Sequence, residues 1–501
     1  MLTYDDLSPA ERELWDAFPE GRWVDRRSGT PEHDDPAGGA QWDAERTVRA
    51  AVVSALLLGA NETRSAGVPA LRLAGARITG SLDMSGAEID HLLWLKDCHV
   101  DEAALFREAS TRTIRMTGSR VPGVDAGLAR IEGHLDVSGT TMDGDRLSLV
   151  NASVTGELLL NGARISAPDE WAVFAGGLVM GGGVFCRDGF RARGGVRLMG
   201  AQLPGGLFMH GARLENPDGA AFAADNVTAT VLDLSEATAI GTVRLRGARV
   251  SDSLTFTGAT LKGPGDGGGP AVVCRLMQAV DFDFTVATPP SGSVDLRGAQ
   301  VSFLHDGDRS WPEVVELDGF AYDSIRPAEA EGAVGRQETV SRRLDWIRRS
   351  PGYSPQPYEQ LATWYRNIGH DDDARRVLLA KQRHRRRTLH PTGRIWGYLL
   401  DVTVGYGYRP WLAGLWLAAL TLLGVLVFST HAPIPAKPGE GSPFNAFIYT
   451  VDLLFPIGNF GQRSAWHWAG WAQWLSYLLM AAGWLLTTAV VAGVTRTLNR
   501  N

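Results

Sequence analysis

The octet Leu-x-Leu-x-Gly-Ala-x-Ile returns throughout this chain. It reads LRLAGARI at 71–78, LDMSGAEI at 82–89 and LWLKDCHV at 93–100, and recurs at 158–165, 196–203, 243–250, 254–261 and 294–301. Neighbouring copies often start 11 residues apart. A fixed period of this kind means a stacked repeat, in which each unit buries its apolar face only against its neighbours.

Within an octet the apolar residues alternate, as in Leu82, Met84, Ala87 and Ile89. Alternation at period two predicts strand rather than helix. The pattern restarts after Gly86, so the glycine marks a corner, and the small residue behind it suits a tight inner position. Two 11-residue units per turn predict on the order of ten coils over 67–325, roughly 50 Å of rod at about 4.8 Å per coil. The last recognisable copy is VELDGFAY at 315–322. In five-residue steps, Ala76-Arg-Ile-Thr-Gly and Ala87-Glu-Ile-Asp-His resemble pentapeptide-repeat proteins, a resemblance that implies a right-handed quadrilateral β-helix. Two departures stand out: Arg, Glu or Gln replaces the usual Asp or Asn before the central Leu, and every second step carries an extra residue.

A β-helix exposes open strand edges unless its ends are covered. Residues 1–66 are expected to form an N-terminal α-helical cap. Ser8-Pro9-Ala10-Glu11 is a capping box with Pro at the first helical position, and 43–58 (DAERTVRAAVVSALLL) is predicted as a buried helix that plugs the rod. Residues 28–40 are expected to be loop. After a linker around Pro327 to Gly335, 336–349 predicts an Arg-rich helix and 357–387 a helix–turn–helix. The spacing of Tyr358, Leu361, Ala362, Tyr365, Gly369, Ala374 and Leu378 resembles one tetratricopeptide repeat; a plain αα-hairpin fits as well. Together 336–390 form a helical collar, expected at the rod end.

Residues 411–430 and 471–494 contain no charge, and each is long enough to span a bilayer. Trp411, Trp416, Trp466, Trp468, Trp471 and Trp474 gather near their ends as an aromatic belt would. Lys381, Arg383, Arg385, Arg386, Arg387 and Arg394 precede the first span, and Arg496 and Arg500 follow the second. By the positive-inside rule both termini and the bulk of the chain are cytoplasmic, with two spans through the inner membrane. The basic cluster is then explained by anionic lipid head groups, and the net charge of −7 gives no case for nucleic acid. Residues 391–410 are expected along the interface, with Trp396 and Tyr398 at head-group level.

Thr403-Val404-Gly405-Tyr406-Gly407 spells the potassium-channel filter, but a basic hairpin precedes it and Arg409-Pro410 follow, so it is expected to be a glycine elbow. The loop at 431–470 is the better pore candidate. Phe444 to Phe455 is read either as a short re-entrant helix followed by an extended return (Asp452, Gly458, Asn459 and Gly461 then forming the pore loop) or as a helix on the outer interface with Asp452 facing water. Two spans cannot enclose a pore, so a pore would require a homo-oligomer. Cys98, Cys186 and Cys274 are far apart, and His91, His134, His210 and His370 are scattered. No catalytic, cofactor-binding or metal-ligating set is expected. The acidic, polar start shows no cleavable signal peptide.

The whole chain resembles a family of actinobacterial membrane proteins: a pentapeptide-like β-helix, a collar ending DDDARRVLLAKQRHRRR, the elbow TVGYGYRPW and a C-terminal hairpin. Members are commonly labelled membrane-associated oxidoreductases, which implies a redox role. The expected fold is mainly β: a β-helix, right-handed and pentapeptide-like as the resemblance to pentapeptide-repeat proteins implies, with an N-terminal α cap, an α-helical collar and two C-terminal transmembrane helices. The expected role is a non-enzymatic scaffold or sensor for a cytoplasmic protein, with an oligomeric channel and an oxidoreductase as alternatives.

Overall fold

The computed structural model describes residues 3–61, 67–307, 309–327, 340–409, 411–431, 433–437, 443–455 and 460–498. They fall into two compact units, Met1–Gly352 and Tyr353–Asn501.

The first unit is a parallel β-solenoid of about 12 turns. Along one side Leu71 pairs with Leu93, Leu93 with Ile114, Ile114 with Leu135 and Leu135 with Leu158. The same column continues through Val184, Leu207, Leu232, Leu254, Phe282 and Leu304 to Ile325. The octets that begin at Leu71 and Leu93 share this side, whereas the octet between them, beginning at Leu82, pairs through Asp83 with Leu105 on another. Two octets therefore make one turn of about 22 residues, each octet covering two sides. Three further columns complete the wall, from Arg77–Thr79 to Thr260–Lys262, from Glu88–Ile89 to Ala321–Pro327 and from Ala104–Leu105 to Val315–Glu316.

The corner chemistry explains the octet. The Met84 carbonyl accepts the N–H of Ala87 at 3.1 Å, and Gly86 between them has φ 69°. That is a type II turn, whose third residue must be left-handed and so favours glycine. Asp97, Glu108, Leu128, Asn151, Asn226, Glu236 and Leu276 hold equivalent left-handed positions in other turns. The alanine after the corner is fully buried at Ala109, Ala129, Ala152, Ala163, Ala201, Ala212 and Ala248. A larger side chain there would meet the packed interior.

Helix α1 (Pro9–Ala17) begins at the expected capping box, with Ser8 Oγ accepting from Glu11 N–H and Glu11 reaching back to Ser8 N–H. The predicted helix over 43–58 is shorter: α2 covers Ala50–Leu57, and Thr47–Arg49 is a strand. The reason is edge satisfaction. Thr47–Arg49 pairs with Arg77–Thr79, and Trp23–Asp25 pairs with Arg72–Ala74, so the N-terminal segment closes the first open edge with backbone hydrogen bonds. As expected of the plug, α2 buries Val52, Val53, Leu56 and Leu57. The glycine-rich insertion after Gly263 is one helical turn, α3 (Pro264–Gly267).

At the other end α4 (Val340–Arg348) lies over the last turn, where Trp346 meets Trp311, Phe320 and Tyr322. This helix performs within the solenoid unit the capping role expected of the whole collar. The linker expected at 327–335 lies outside the described residues beyond Pro327.

In the second unit α5 (Gln356–Asn367) and α6 (Asp371–Thr388) form an αα-hairpin. Tyr358, Leu361, Ala362, Tyr365, Ala374 and Leu378 are buried between them, and Gly369 takes the left-handed turn position with φ 82°. Then follow α7 (Pro391–Val404), α8 (Trp411–Thr430), α9 (Ala446–Leu454), α10 (Gln462–Ala465) and α11 (Trp471–Leu498).

Candidate functional site

Two regions carry the residues singled out in the sequence, and both lie in the second unit. Among the described residues one helix, α8, is long and apolar enough to cross a membrane. Its surface fits that reading: Trp411, Leu415, Leu422 and Leu426 are exposed, and only Ala413, Gly424 and Phe428 are buried. Helix α11 extends beyond the expected 471–494, to Leu498.

The segment between these helices folds back on them. Asn445 caps α9, its Oδ1 accepting from Phe447 N–H at 3.0 Å and Ile448 N–H at 3.1 Å. Helix α9 then packs against both α8 and α11. A Cβ on Gly424 of α8 would overlap the Thr450 side chain, and one on Gly483 of α11 would overlap the Leu454 backbone. Tyr449 and Leu453 join Phe428, Trp468 and Leu479 in one apolar cluster. Gly483 lies twelve residues into α11, about 18 Å along its axis from Trp471 at 1.5 Å per residue. Gly424 lies six residues before the end of α8, about 9 Å from it. The two glycine notches let a short helix run alongside both long ones rather than over their ends.

Asp452 does not face water among the described residues: it is fully buried, its Oδ1 accepting from Phe460 N–H at 3.0 Å and its Oδ2 from Arg463 N–H at 2.8 Å. The carboxylate pins the returning chain to α9, because a buried carboxylate needs donors and the start of α10 supplies them. Gly461 has φ 74° at the N-terminus of α10. Gly458 and Asn459 lie outside the described residues. Gln462 ties the neck of the loop, donating from Nε2 to the Pro443 carbonyl at 3.0 Å and accepting from Asn445 N–H at 3.4 Å. Its amide was not singled out in the sequence, where a glutamine in a loop carries no distinguishing signal.

The basic cluster is less available than its sequence suggests. Arg383 and Arg386 both pair with Asp401 at 3.0 Å, and Lys381 pairs with Glu359. Burial pushes the Asp401 carboxyl up, but the two guanidiniums outweigh it and hold the group below the usual carboxylate range. Arg394 donates to the Leu389 and Arg387 carbonyls at 2.9 Å. Among the described residues this leaves Arg385, Arg387 and Arg394 without an ion-pair partner. The acids that neutralise the rest come from α5 and α7, distant in sequence. Tyr398 stacks on Arg386 at 3.8 Å from the ring centre, and the Trp396 side chain lies outside the described residues.

The TVGYG segment is the elbow. Gly405 ends α7 in the left-handed conformation with φ 54° and ψ 44°, and its N–H returns to the Asp401 and Leu400 carbonyls.

Elsewhere the three thiols are buried and separate; burial pushes Cys98 up to about 12 and raises Cys186 and Cys274 as well. Among the described residues no three His, Cys, Asp or Glu side chains gather as a metal site. Compared with family models, curated proteins and solved structures, the chain matches none.

Proposed function

We propose that this chain is a membrane-tethered β-solenoid that serves as a scaffold or sensor for a cytoplasmic partner, without chemistry of its own. The observation that carries the reading is a solenoid of about 12 stacked turns in one chain with an apolar, mostly exposed helix of 20 residues. Solenoids offer long regular surfaces, and their usual use is binding. The finer features follow the sequence: a right-handed coil, a second span in α11, both termini on the cytoplasmic side of the inner membrane and anionic head groups near Arg385 and Arg387. The test places a photo-crosslinking residue on each of the four solenoid sides of the full-length protein in its membrane. Discrete adducts from one side support the reading. No adduct from any side, with the protein folded and membrane-bound, would sink it.

A second reading, an oligomeric two-span channel, is favoured by one observation: α9 runs beside both long helices and ends at Gly483. A half-helix whose C-terminal end points along its neighbours presents the negative end of its dipole to a cation. Ion flux into liposomes holding the full-length protein, lost on Gly483→Leu, would support a channel. Absence of flux from inserted, folded protein would overturn it.

A further inference from the structure

Stacking places each outward residue of one turn over its counterpart in the next, so a repeated residue type becomes a ladder. On the side that contains strands Arg164–Ser166, Arg191–Arg193 and Arg213–Ala223, the register sets Arg164 against Arg191 and Arg191 against Arg213. Arg193 stands two residues along the middle rung, opposite Glu215. Rungs of a parallel sheet are about 4.8 Å apart. All four arginines are exposed, and they line a groove of about 400 Å³ together with Asp143 and Glu215.

Like charges directly opposite each other on neighbouring strands are destabilising. The available acids are already engaged, Glu215 with Arg213 and Asp143 with Arg120. Among the described residues Arg164, Arg191 and Arg193 make no ion pair. Elsewhere the fold pairs stacked arginines more fully. Beside a groove of about 650 Å³ on another side, lined by Arg246, Arg275 and Arg297, both Arg275 and Arg297 pair with Asp295, and Asp225 in the lining pairs with Arg244. The first groove sets two carboxylates, both already engaged, against four arginines, in a chain whose net charge is −7.

We propose that the groove of Arg164, Arg191, Arg193 and Arg213 is a binding site for a small oligoanion carrying two or three linked phosphate groups. Guanidinium forks match phosphate oxygens bidentately. Consecutive rungs present successive forks to one extended anion, and a concave basic wall concentrates anions. Three uncompensated arginines call for a multivalent ligand. The proposal rests on the solenoid being a binding surface, and gives that surface a ligand class.

The test is calorimetric titration of full-length protein in neutral detergent with inorganic tripolyphosphate and, separately, with a nucleoside triphosphate. Both are expected to bind, more weakly as salt rises. Arg191→Gln is expected to weaken binding about tenfold and Arg191→Lys by less, since it keeps the charge and loses the fork. Arg275→Gln, in the other groove, is expected to leave affinity unchanged. Equal affinities mean that the phosphate chain alone is recognised, and a tighter nucleotide adds a contact to the base; both support the site. No binding of either probe at millimolar concentration, or undiminished binding by folded Arg191→Gln and Arg164→Gln/Arg193→Gln variants, overturns it. Failed titrations beside discrete cross-linked adducts would remove this site and leave the scaffold reading standing. Bound oligoanion without adducts would do the reverse.

Discussion

Arg343 grips Asp306 through two hydrogen bonds inside the last turn of the solenoid, Nη1 to Oδ2 at 2.7 Å and Nη2 to Oδ1 at 2.8 Å. Neither residue is more than 1% exposed. The Asp306 position faces inward, where earlier turns place apolar residues, and Trp311 Nε1 donates to the same carboxylate at 2.6 Å. The pair thus locks α4 onto the open end of the rod. Arg342 stands farther from the carboxylate, at 3.5 Å, and is partly exposed, so Arg343 is its main counter-charge; removing one partner of a buried ion pair costs about 3–5 kcal/mol. Arg343→Ala should therefore lower the unfolding free energy by that order and expose the final turns to protease. Asp306→Leu with Arg343→Met should recover most of the loss. Denaturant unfolding of the three proteins checks this; an Arg343→Ala loss below about 1 kcal/mol would contradict the locking role.

The corners make opposite predictions for two residues. Leu128 is exposed and held at φ 59°, whereas Gly86 at φ 69° has open space where a Cβ would go. A left-handed non-glycine residue costs about 1–2 kcal/mol, while glycine costs roughly 0.5–1 kcal/mol in chain entropy. Leu128→Gly should stabilise by up to about 1 kcal/mol and Gly86→Ala destabilise by a similar amount. Matching signs in thermal unfolding would rule out the backbone explanation.

The seat of α9 depends on missing side chains. Gly424→Ala should lower the melting temperature of the detergent-solubilised protein by several degrees, because its Cβ would overlap Thr450. Thr450→Ala removes the two nearest overlapping atoms, so the double variant should regain part of the loss. Simple additivity would mean that the residues do not meet.

Glu11 gives a pH dependence. Burial raises its carboxyl, but Arg49 and the backbone N–H groups of Ser8 and Arg49 outweigh this and hold it below the usual range. A depressed folded value contributes stability that is complete above the ordinary value of about 4.3 and is lost as pH falls through the folded value. Protection of α1 and α2 in hydrogen exchange should fall below about pH 4, and Glu11→Gln should lower it at neutral pH and flatten the profile. An unchanged profile in the variant would assign the acid sensitivity to other groups.

The thiols should be inert in the folded state. With Cys98 pushed up to about 12 by burial and all three cysteines enclosed, a water-soluble thiol reagent at pH 8 should label none until the protein unfolds. Rapid labelling of native protein would mean that the solenoid opens locally.

The octet by itself determined the solenoid. Its alternation set which residues face inward, its glycine set the type II corners and its 11-residue spacing set two units per turn, because each is a local requirement of backbone and side chain. The capping box at Ser8 and the apolar length of α8 were legible for the same reason. What only the tertiary structure decided involves partners distant in sequence. The strand at Thr47–Arg49 exists because an open edge beside Arg77–Thr79 needed hydrogen bonds, overriding a helical pattern. Asp401 neutralises Arg383 and Arg386, and Glu359 neutralises Lys381, cations that look free in the sequence, and Asp452 turns inward because Phe460 and Arg463 offer donors. The arginine ladder shows the same division. Arginine after the corner is visible in the sequence at Arg164 and Arg213, but only coils of unequal length, brought into register by backbone pairing, set Arg164, Arg191 and Arg213 on successive rungs.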